Sequence, residues 1–216
     1  MVFVLYGLLS MYQVVQYLLR ALVVLIAIPF HESAHALVSH WLGDDTALRA
    51  GRLSLNPLRH FDPWGALCML VGGVGWARPV RIDVRNYKNP KVGMAISAAA
   101  GPISNFLLAW VSMILYRLVL RADASWLMLP QMFLYYMIVM NLSLAAFNLI
   151  PVPPFDGSRI ALLFLPQRLY FKVMRYEHQI MIAVLLLALT GLLNIPLSVV
   201  VNFLWDRLVD LTAFMG

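Results

Sequence analysis

The sequence predicts an all-α polytopic membrane protein with about five to six transmembrane helices. Hydrophobic residues make up 62% of the chain and charged residues only 12%, and the mean hydropathy of +0.80 lies far above the values of soluble domains. Apolar stretches of roughly 20 residues, the length of a helix that crosses a bilayer, recur along the chain. We therefore expect one domain, residues 1–216, embedded in the cell membrane as a multi-pass protein.

The positive charge of the chain indicates topology rather than nucleic-acid binding. The net charge is +6, and eight Lys or Arg residues stand against four Asp between residues 43 and 92. Basic residues of membrane proteins gather in cytoplasmic loops against anionic lipid. We therefore place this segment in the cytoplasm and expect membrane lipid, and no nucleic acid, as a partner. No sequence feature bears on the oligomeric state.

The first span is predicted from about Val14 to Leu42. Gly43 supplies a C-cap at its end, and Asp44-Asp45 supplies a polar exit. No hairpin signal interrupts the residues before it, so residues 1–20 form either part of that span or a surface helix leading into it. No small-residue cleavage site follows them, which argues against a removed signal peptide.

A short re-entrant or β-hairpin element is predicted at about residues 64–82. Its apolar part, Trp64 to Gly75, is too short to span a bilayer and ends in a glycine-rich run. Non-helical backbone at membrane depth needs protein or a water-filled cavity to satisfy its hydrogen bonds, so we expect this element to line an active site. The alternative for its second half is an interfacial loop anchored by Trp76.

Further spans are predicted at about Gly93–Leu120, Trp126–Leu149, Gln179–Leu193 and Leu197–Trp205. The first of these is rich in small residues, which predicts close helix packing. Residues 158–177 read as a short helix followed by an amphipathic surface segment. The last two spans, separated by a turn at Asn194-Ile195-Pro196, contain no central acid or histidine, so we expect the C-terminal helices, about residues 178–216, to be peripheral.

Metal-ligand spacing occurs inside the first span, in His31-Glu32-Ser33-Ala34-His35. Residues i and i+4 share one helical face, so His31 and His35 can reach a single Zn²⁺, with Glu32 beside it as a candidate general base. Residue frequencies alone would produce this pattern roughly 0.001 times per shuffled chain. The alternative is structural pairing with neighbouring helices, but ionisable residues inside spans are functional by default.

Asp156 is the candidate third ligand. It follows a proline-rich break that begins at Asn148 and precedes Gly157, in apolar surroundings where an unpaired carboxylate costs free energy. Counting spans returns this break to the side on which the histidine helix ends, and four basic residues just downstream agree with that placement. A role of Asp156 as N-cap of the next helix is the alternative, and it is compatible with metal binding.

Four motifs make the sequence resemble the site-2 proteases, a family of intramembrane zinc metalloproteases (peptidase M50). The likeness covers about residues 20–165 and is closest to the compact subgroup that lacks PDZ and CBS domains. The motifs are His31 to His35, Gly101-Pro102-Ile103-Ser104-Asn105, Asn148 to Gly157, and the region from Gly51-Arg52-Leu53-Ser54-Leu55-Asn56-Pro57 to Gly75-Trp76-Ala77-Arg78-Pro79-Val80.

This resemblance implies a three-helix catalytic core, at about residues 14–165, that holds one Zn²⁺ per chain. It implies that His31, His35 and Asp156 bind the metal and that Glu32 activates water. It further implies that Asn105 binds substrate or stabilises an oxyanion, the alternative being an interhelical hydrogen bond. The remaining implied residues are Trp76, Pro79 and Val80, at an edge that accepts a substrate strand. We expect Gly101 to lie behind the metal ligands, and Asn148 either to lie there or to satisfy backbone carbonyls freed by the proline break.

The predicted function is intramembrane endopeptidase activity on transmembrane protein substrates near the cytoplasmic side of the bilayer, as in regulated intramembrane proteolysis. The active site would face the cytoplasm. Two alternatives belong to other classes. A metal-dependent transporter or channel would also place His and Asp inside the membrane, and a non-catalytic membrane scaffold would need none of these residues.

Overall fold

The computed structural model describes residues 11–64, 77–122, 124–161 and 163–215, and the regular elements in these ranges are all helical. The all-α prediction is confirmed for this part of the chain. Single 3₁₀ turns occur at Pro57–Arg59, Val84–Asn86, Ser125–Leu127 and Ala213–Met215. The α-helices are α1 (Met11–Trp41), α2 (Thr46–Arg49), α3 (Pro90–Arg121), α4 (Met128–Asn148), α5 (Asp156–Ala161), α6 (Gln167–Arg175), α7 (Glu177–Leu189) and α8 (Asn194–Leu211).

Helices α1, α3 and α4 are long and apolar enough to cross a membrane. They contain 31, 32 and 21 residues, which at about 1.5 Å per residue exceeds the ~30 Å hydrocarbon core. They match the first three predicted spans. Helix α7 has 13 residues, about 20 Å of helix, and α8 carries three charged residues towards its end. The total of five to six spans stays a prediction.

The structure bears on two connections that the sequence predicts, the element at residues 64–82 and the turn at residues 194–196. The re-entrant or β-hairpin element lies largely outside the described residues; of its described residues, Trp64 is helical and 77–82 are irregular backbone rather than strand. The predicted turn at Asn194-Ile195-Pro196 is wrong, because these residues begin α8. Proline is tolerated in a first helical turn, where its missing N–H has no intrahelical partner. The turn lies just before, where Gly191 has a φ of +76°.

Helix α1 ends as the sequence predicts, at a glycine in the left-handed conformation. Gly43 has a φ of +104°. Its N–H donates to the His40 carbonyl at 3.0 Å, and the Asp44 N–H donates to the Ser39 carbonyl at 3.0 Å. This pair of bonds is a Schellman motif, and it turns the chain sharply after the last helical residue.

Asp44, predicted as part of a polar exit from the first span, is buried and accepts several hydrogen bonds. The residue is fully buried, and its Oδ2 accepts from Ser39 Oγ at 3.0 Å and from the Asp83 N–H at 2.9 Å. Its Oδ1 accepts from Thr46, through both N–H and Oγ1, and from Asn86 Nδ2 at 2.8 Å. The carboxylate therefore joins the end of α1 to the segment that leads into α3.

Small residues on α3 bring it close to α1, as predicted. Helix α3 begins at Pro90, after Asn89, whose side chain accepts from the Val92 N–H at 3.2 Å. Its buried face includes a row of residues spaced i, i+4, and α3 packs against α1, which has a buried row of the same spacing. The two rows are Gly93, Ser97, Gly101, Asn105, Ala109 and Met113 on α3, and Val23, Ala27, His31, His35 and Ser39 on α1.

Helices α4 and α8 complete the bundle around α3. Helix α4 packs against both α1 and α3, and α8 packs against α4. The core between them contains Ala109, Ile138, Leu142 and Leu208, all fully buried. Arg117 of α3 donates to the Thr212 carbonyl at 3.1 Å, which places a cation at the C-terminal end of α8. The C-terminal helix is thus packed against two of the three long helices, α3 and α4.

Candidate metal centre

Three buried side chains from two helices converge on one point. His31 and His35 come from α1, and Asp156 is the first residue of α5. Asp156 Oδ2 lies 3.2 Å from His31 Nε2 and 3.3 Å from His35 Nε2, and the two Nε2 atoms are 3.1 Å apart. The separations are close to the ~3.3–3.6 Å between ligand atoms around a tetrahedral zinc with bonds of about 2.0–2.2 Å.

The hydrogen bonds behind the two rings leave both Nε2 lone pairs facing this point. His35 Nδ1 lies 2.7 Å from the Ser97 carbonyl, which can only accept, so the Nδ1 of a neutral ring carries the proton. His31 Nδ1 lies 2.6 Å from Asn105 Oδ1. Buried Asp156 Oδ2 has no hydrogen-bond donor. Three buried acceptor atoms that converge in this way suit a bound cation, so the donor set fits zinc.

Gly101 provides the space that both imidazoles occupy. It lies on the buried row of α3 opposite the two histidines. A Cβ atom at this position would lie 2.5 Å from His31 Cε1 and 2.5 Å from His35 Nε2, well inside van der Waals contact. Glycine is therefore required for the two rings to keep their positions. This contact gives the predicted involvement of Gly101 a steric cause.

The chain after α4 folds back tightly to deliver Asp156. The segment between Asn148 and α5 contains a cis peptide bond at Pro153–Pro154. Gly157 lies so close to the end of α4 that a Cβ atom there would be 2.2 Å from the Leu149 carbonyl oxygen. Glycine after the acid is thus a packing requirement. The same end of the bundle holds the start of α3, because Lys91 Nζ donates to the Leu165 carbonyl at 2.8 Å.

Glu32 is half-buried and is held by the last part of the element predicted at residues 64–82. Its Oε2 accepts a hydrogen bond from the Val80 N–H at 3.1 Å. Two residues earlier, the Arg78 N–H donates to the carbonyl of buried His60 at 2.9 Å. Residues 78–80 are thereby fixed against α1. The structure brings Val80 to Glu32 with Pro79 exposed beside it, whereas Trp76 lies outside the described residues.

A cavity of about 500 Å³ adjoins residues 78–81. Four arginines contribute to its lining, together with Gly51 and Pro79, and Arg59 Nη1 donates to the Gly51 carbonyl at 2.7 Å. The basic loop predicted from the sequence is therefore gathered around an opening beside the Glu32 segment. The four arginines are Arg52, Arg59, Arg78 and Arg81.

The two predicted asparagines occupy different positions. Asn105 is fully buried, and besides His31 it contacts Asn141, whose Oδ1 accepts from Asn105 Nδ2 at 2.8 Å. This is the interhelical hydrogen bond considered as the alternative role. Asn148 Nδ2 donates to the Leu144 carbonyl at 3.0 Å and so satisfies a carbonyl at the end of α4, ahead of the proline-rich break.

Sequence reasoning missed Asn141. This residue is fully buried in α4 and bonds to Asn105, which in turn bonds to His31. An amide near the middle of an apolar span is a signal, since polar groups inside membranes seek partners. The proline-rich run that begins seven residues later drew the interpretation to Asn148 instead. Ser97 was noted only as a small residue, because its contribution to the site is made by its backbone carbonyl.

Comparisons with known proteins agree with this geometry. Residues 118–189 match the profile of Peptidase family M50. A Bacillus subtilis protein named "Putative zinc metalloprotease YwhC" is 39% identical over 173 residues, 78% of each chain. A Methanocaldococcus jannaschii protein named "Putative zinc metalloprotease MJ0611" is 32% identical over 132 residues, 61% of this chain and 62% of its own. No solved structure matches significantly. The chain belongs to peptidase family M50, the site-2 protease family, and is a zinc metalloprotease.

Proposed function

We propose that the chain is an intramembrane endopeptidase, with zinc held by His31, His35 and Asp156, that cuts transmembrane protein substrates near the cytoplasmic side of the bilayer. The observation that carries this proposal is the convergence of three lone-pair donors within 3.3 Å, two of them on a helix long and apolar enough to cross a membrane. Such a donor set suits a metal cation, and its position on a membrane-length helix supports a membrane-embedded peptide as the substrate.

The depth of the site supports a membrane-embedded substrate. His35 and His31 precede the end of α1 at Trp41 by six and ten residues, which is ~9 to 15 Å along the helix axis. The hydrocarbon core of a bilayer is about 30 Å thick, so this depth lies inside it or at its edge. The outer faces of α1 and α3 expose large apolar side chains suited to lipid, among them Leu22, Leu25, Ile103, Leu107 and Val111.

In the proposed chemistry, Glu32 carries a proton from the attacking water to the leaving amine. A zinc ion held by His31, His35 and Asp156 would supply Lewis acidity. Glu32 accepts a proton from the attacking water and passes it to the amide nitrogen as the carbon–nitrogen bond breaks, which yields a carboxylate and an amine. Because the Val80 N–H occupies Oε2, Oε1 is the oxygen left to carry the proton.

The direct test is the Glu32→Gln variant, with Glu177→Gln as the matched control because Glu177 is the other glutamate of the chain. Membrane proteins that accumulate in cells carrying Glu32→Gln are identified, and one is co-reconstituted in liposomes with each enzyme form. We expect Glu32→Gln to keep its zinc and to lose cleavage by about 10²-fold or more. Glu177→Gln should cleave like the wild type.

Cleavage by Glu32→Gln at the wild-type rate would contradict the proposed mechanism. The same liposomes separate the enzyme from a metal-dependent transporter. A transporter would move zinc across the bilayer with or without Glu32, whereas we expect no flux from a peptidase.

A further inference from the structure

A chain of buried amides runs from α4 through α3 to the metal-ligand helix α1. Asn141 Nδ2 donates to the Met137 carbonyl at 2.8 Å, and Asn105 Nδ2 donates to Asn141 Oδ1 at 2.8 Å. Asn105 Oδ1 then lies 2.6 Å from His31 Nδ1. Both asparagines are 0% exposed. Three helices are thus connected by side chains that end on one candidate metal ligand.

The direction of this chain follows from its first acceptor. A backbone carbonyl can only accept, so the Asn141 NH₂ must face Met137 and its oxygen must face Asn105. Asn105 must then turn its own NH₂ towards Asn141 and its oxygen towards His31. The remaining donor in the chain is the His31 Nδ1–H. A backbone atom on α4 therefore dictates which nitrogen of His31 carries the proton.

We propose that Asn141 is a positioning residue which, through Asn105, fixes His31 in the tautomer that directs its Nε2 lone pair at the metal. The proposal rests on the metal centre proposed above. In this proposal Asn105 orients the candidate ligand His31. Its amide nitrogen donates to Asn141 and is therefore not available to stabilise an oxyanion.

Burial prevents the amide of Asn141 from turning over. Turning over the amide of Asn141 would oppose its NH₂ to that of Asn105 and its oxygen to the Met137 carbonyl, which would break two hydrogen bonds at once. In the hydrocarbon region no water replaces them, and each unsatisfied buried group costs about 1–3 kcal/mol. The alternative amide orientation is thereby excluded, and with it the His31 tautomer that carries its proton at Nε2.

His35 provides an internal contrast. Its Nδ1 faces the backbone carbonyl of Ser97 at 2.7 Å, so its tautomer depends on no side chain. The two histidines are thus oriented by different means, one by backbone and one by the amide chain. Substitution of Asn141 should therefore disturb only the His31 side of the metal centre.

The experiment measures zinc affinity by chelator competition for the wild type, Asn141→Leu and Ser143→Ala. Ser143 is the matched control because its hydroxyl also donates to a carbonyl four residues earlier on α4, at 2.8 Å, but on the exposed face. Without Asn141, Asn105 can turn its NH₂ towards His31 and favour the wrong tautomer. We expect Asn141→Leu to weaken zinc binding about 10–100-fold and Ser143→Ala to leave it unchanged.

A rescue variant distinguishes orientation from packing. In Asn105→Asp/Asn141→Leu, a carboxylate faces His31 and accepts its Nδ1–H with either oxygen, so no partner on α4 is needed. We expect this double variant to regain most of the lost zinc affinity. Nitrogen NMR of ¹⁵N-histidine-labelled, metal-free protein should show the Nδ1–H form for His31 in the wild type and the double variant, and the Nε2–H form in Asn141→Leu.

Wild-type zinc affinity in Asn141→Leu, together with loss of zinc in His31→Ala, would overturn the role of Asn141 and leave the metal centre standing. Failure of the double variant to regain affinity, with His31 still in its Nδ1–H form in Asn141→Leu, would also overturn it. Wild-type affinity in His31→Ala would instead refute the proposed metal centre, and the amide chain with it.

Discussion

Gly101 is the residue that makes room for the candidate metal ligands His31 and His35 between α1 and α3. A methyl group there would lie 2.5 Å from atoms of both imidazoles, and the rings cannot retreat far because their Nδ1 atoms are held at 2.6 and 2.7 Å by Asn105 and Ser97. The close approach of α1 and α3 and the positions of the two histidine rings therefore both depend on the absence of a side chain at Gly101.

We expect Gly101→Ala to fold but to bind zinc at least about 10-fold more weakly, since displaced ligands cost affinity even when all are present. Chelator competition measures the effect. Ile103→Ala, on the exposed face of the same helix, should bind zinc like the wild type. Equal affinities in the three proteins would show that the rings do not need this space.

Spacing and hydropathy were enough to predict His31, Glu32, His35 and Asp156 as candidate site residues, and the structure brings His31, His35 and Asp156 together. These are ionisable groups in apolar segments, so the free-energy cost of placing them in a membrane is apparent from the residues around them. Asn141 could not be selected in this way. A neutral amide in a span is cheaper than a charge, and its importance arises from a neighbour 36 residues away in sequence, a relation that no local pattern contains.

Among the elements, the connection from α1 to α3 depends on Asp44. Burial alone would raise the pKa of Asp44, but hydrogen bonds from Thr46, Asn86 and the Asp83 N–H outweigh it and lower that pKa from 3.8 to about 2. A lowered pKa means that folding favours the ionised form. The stabilisation is therefore complete above about pH 4 and is lost as the pH falls through about 2.

We expect Asp44→Asn to lower the free energy of unfolding by about 1–3 kcal/mol at pH 7, because an amide nitrogen cannot accept the bonds that the carboxylate accepts. Thermal unfolding in detergent across pH 2 to 7 measures this. The gap between variant and wild type should be constant above about pH 4 and should close towards pH 2. Asp45→Asn, in a partly exposed pair with His40, should cost less than about 1 kcal/mol. A gap that persists unchanged at pH 2 would contradict this role.

Helix boundaries show which elements local chemistry can predict. The first span was predicted at about Val14 to Leu42 and observed as Met11–Trp41, because Gly43 is a strong stop signal. The start of α3 was predicted three residues late, since the Asn89-Pro90 cap was not used. The course of residues 149–155 was beyond prediction, because it depends on the close contact of Gly157 with the Leu149 carbonyl.

For the whole molecule, the ends of α1 and α4 and the start of α3 meet at one end of the bundle, where the basic loop also lies. Hydrogen bonds from Asp83 to Asp44 and from Lys91 to Leu165 hold this end together. Span counting predicted that Asp156 would return to the histidines, and the distances agree. The positive-inside rule assigns this end to the cytoplasm.

Cysteine labelling of intact cells tests that orientation. In a Cys68→Ser background, Lys88→Cys and Arg168→Cys lie in exposed positions at the basic end, and Ala122→Cys lies in an exposed position after α3. We expect an impermeant thiol reagent to label Ala122→Cys from outside and the other two only after permeabilisation. Labelling of Lys88→Cys in intact cells would reverse the proposed topology.

The most direct test of the central claim is zinc X-ray absorption combined with metal analysis of the purified protein. We expect about one zinc per chain, with two imidazole nitrogens and a carboxylate oxygen among its ligands. Asp156→Ala should lose the carboxylate contribution and most of the bound zinc, and Glu32→Gln should keep both. A wild-type spectrum without imidazole ligands, or unchanged zinc in Asp156→Ala, would contradict the proposed metal centre.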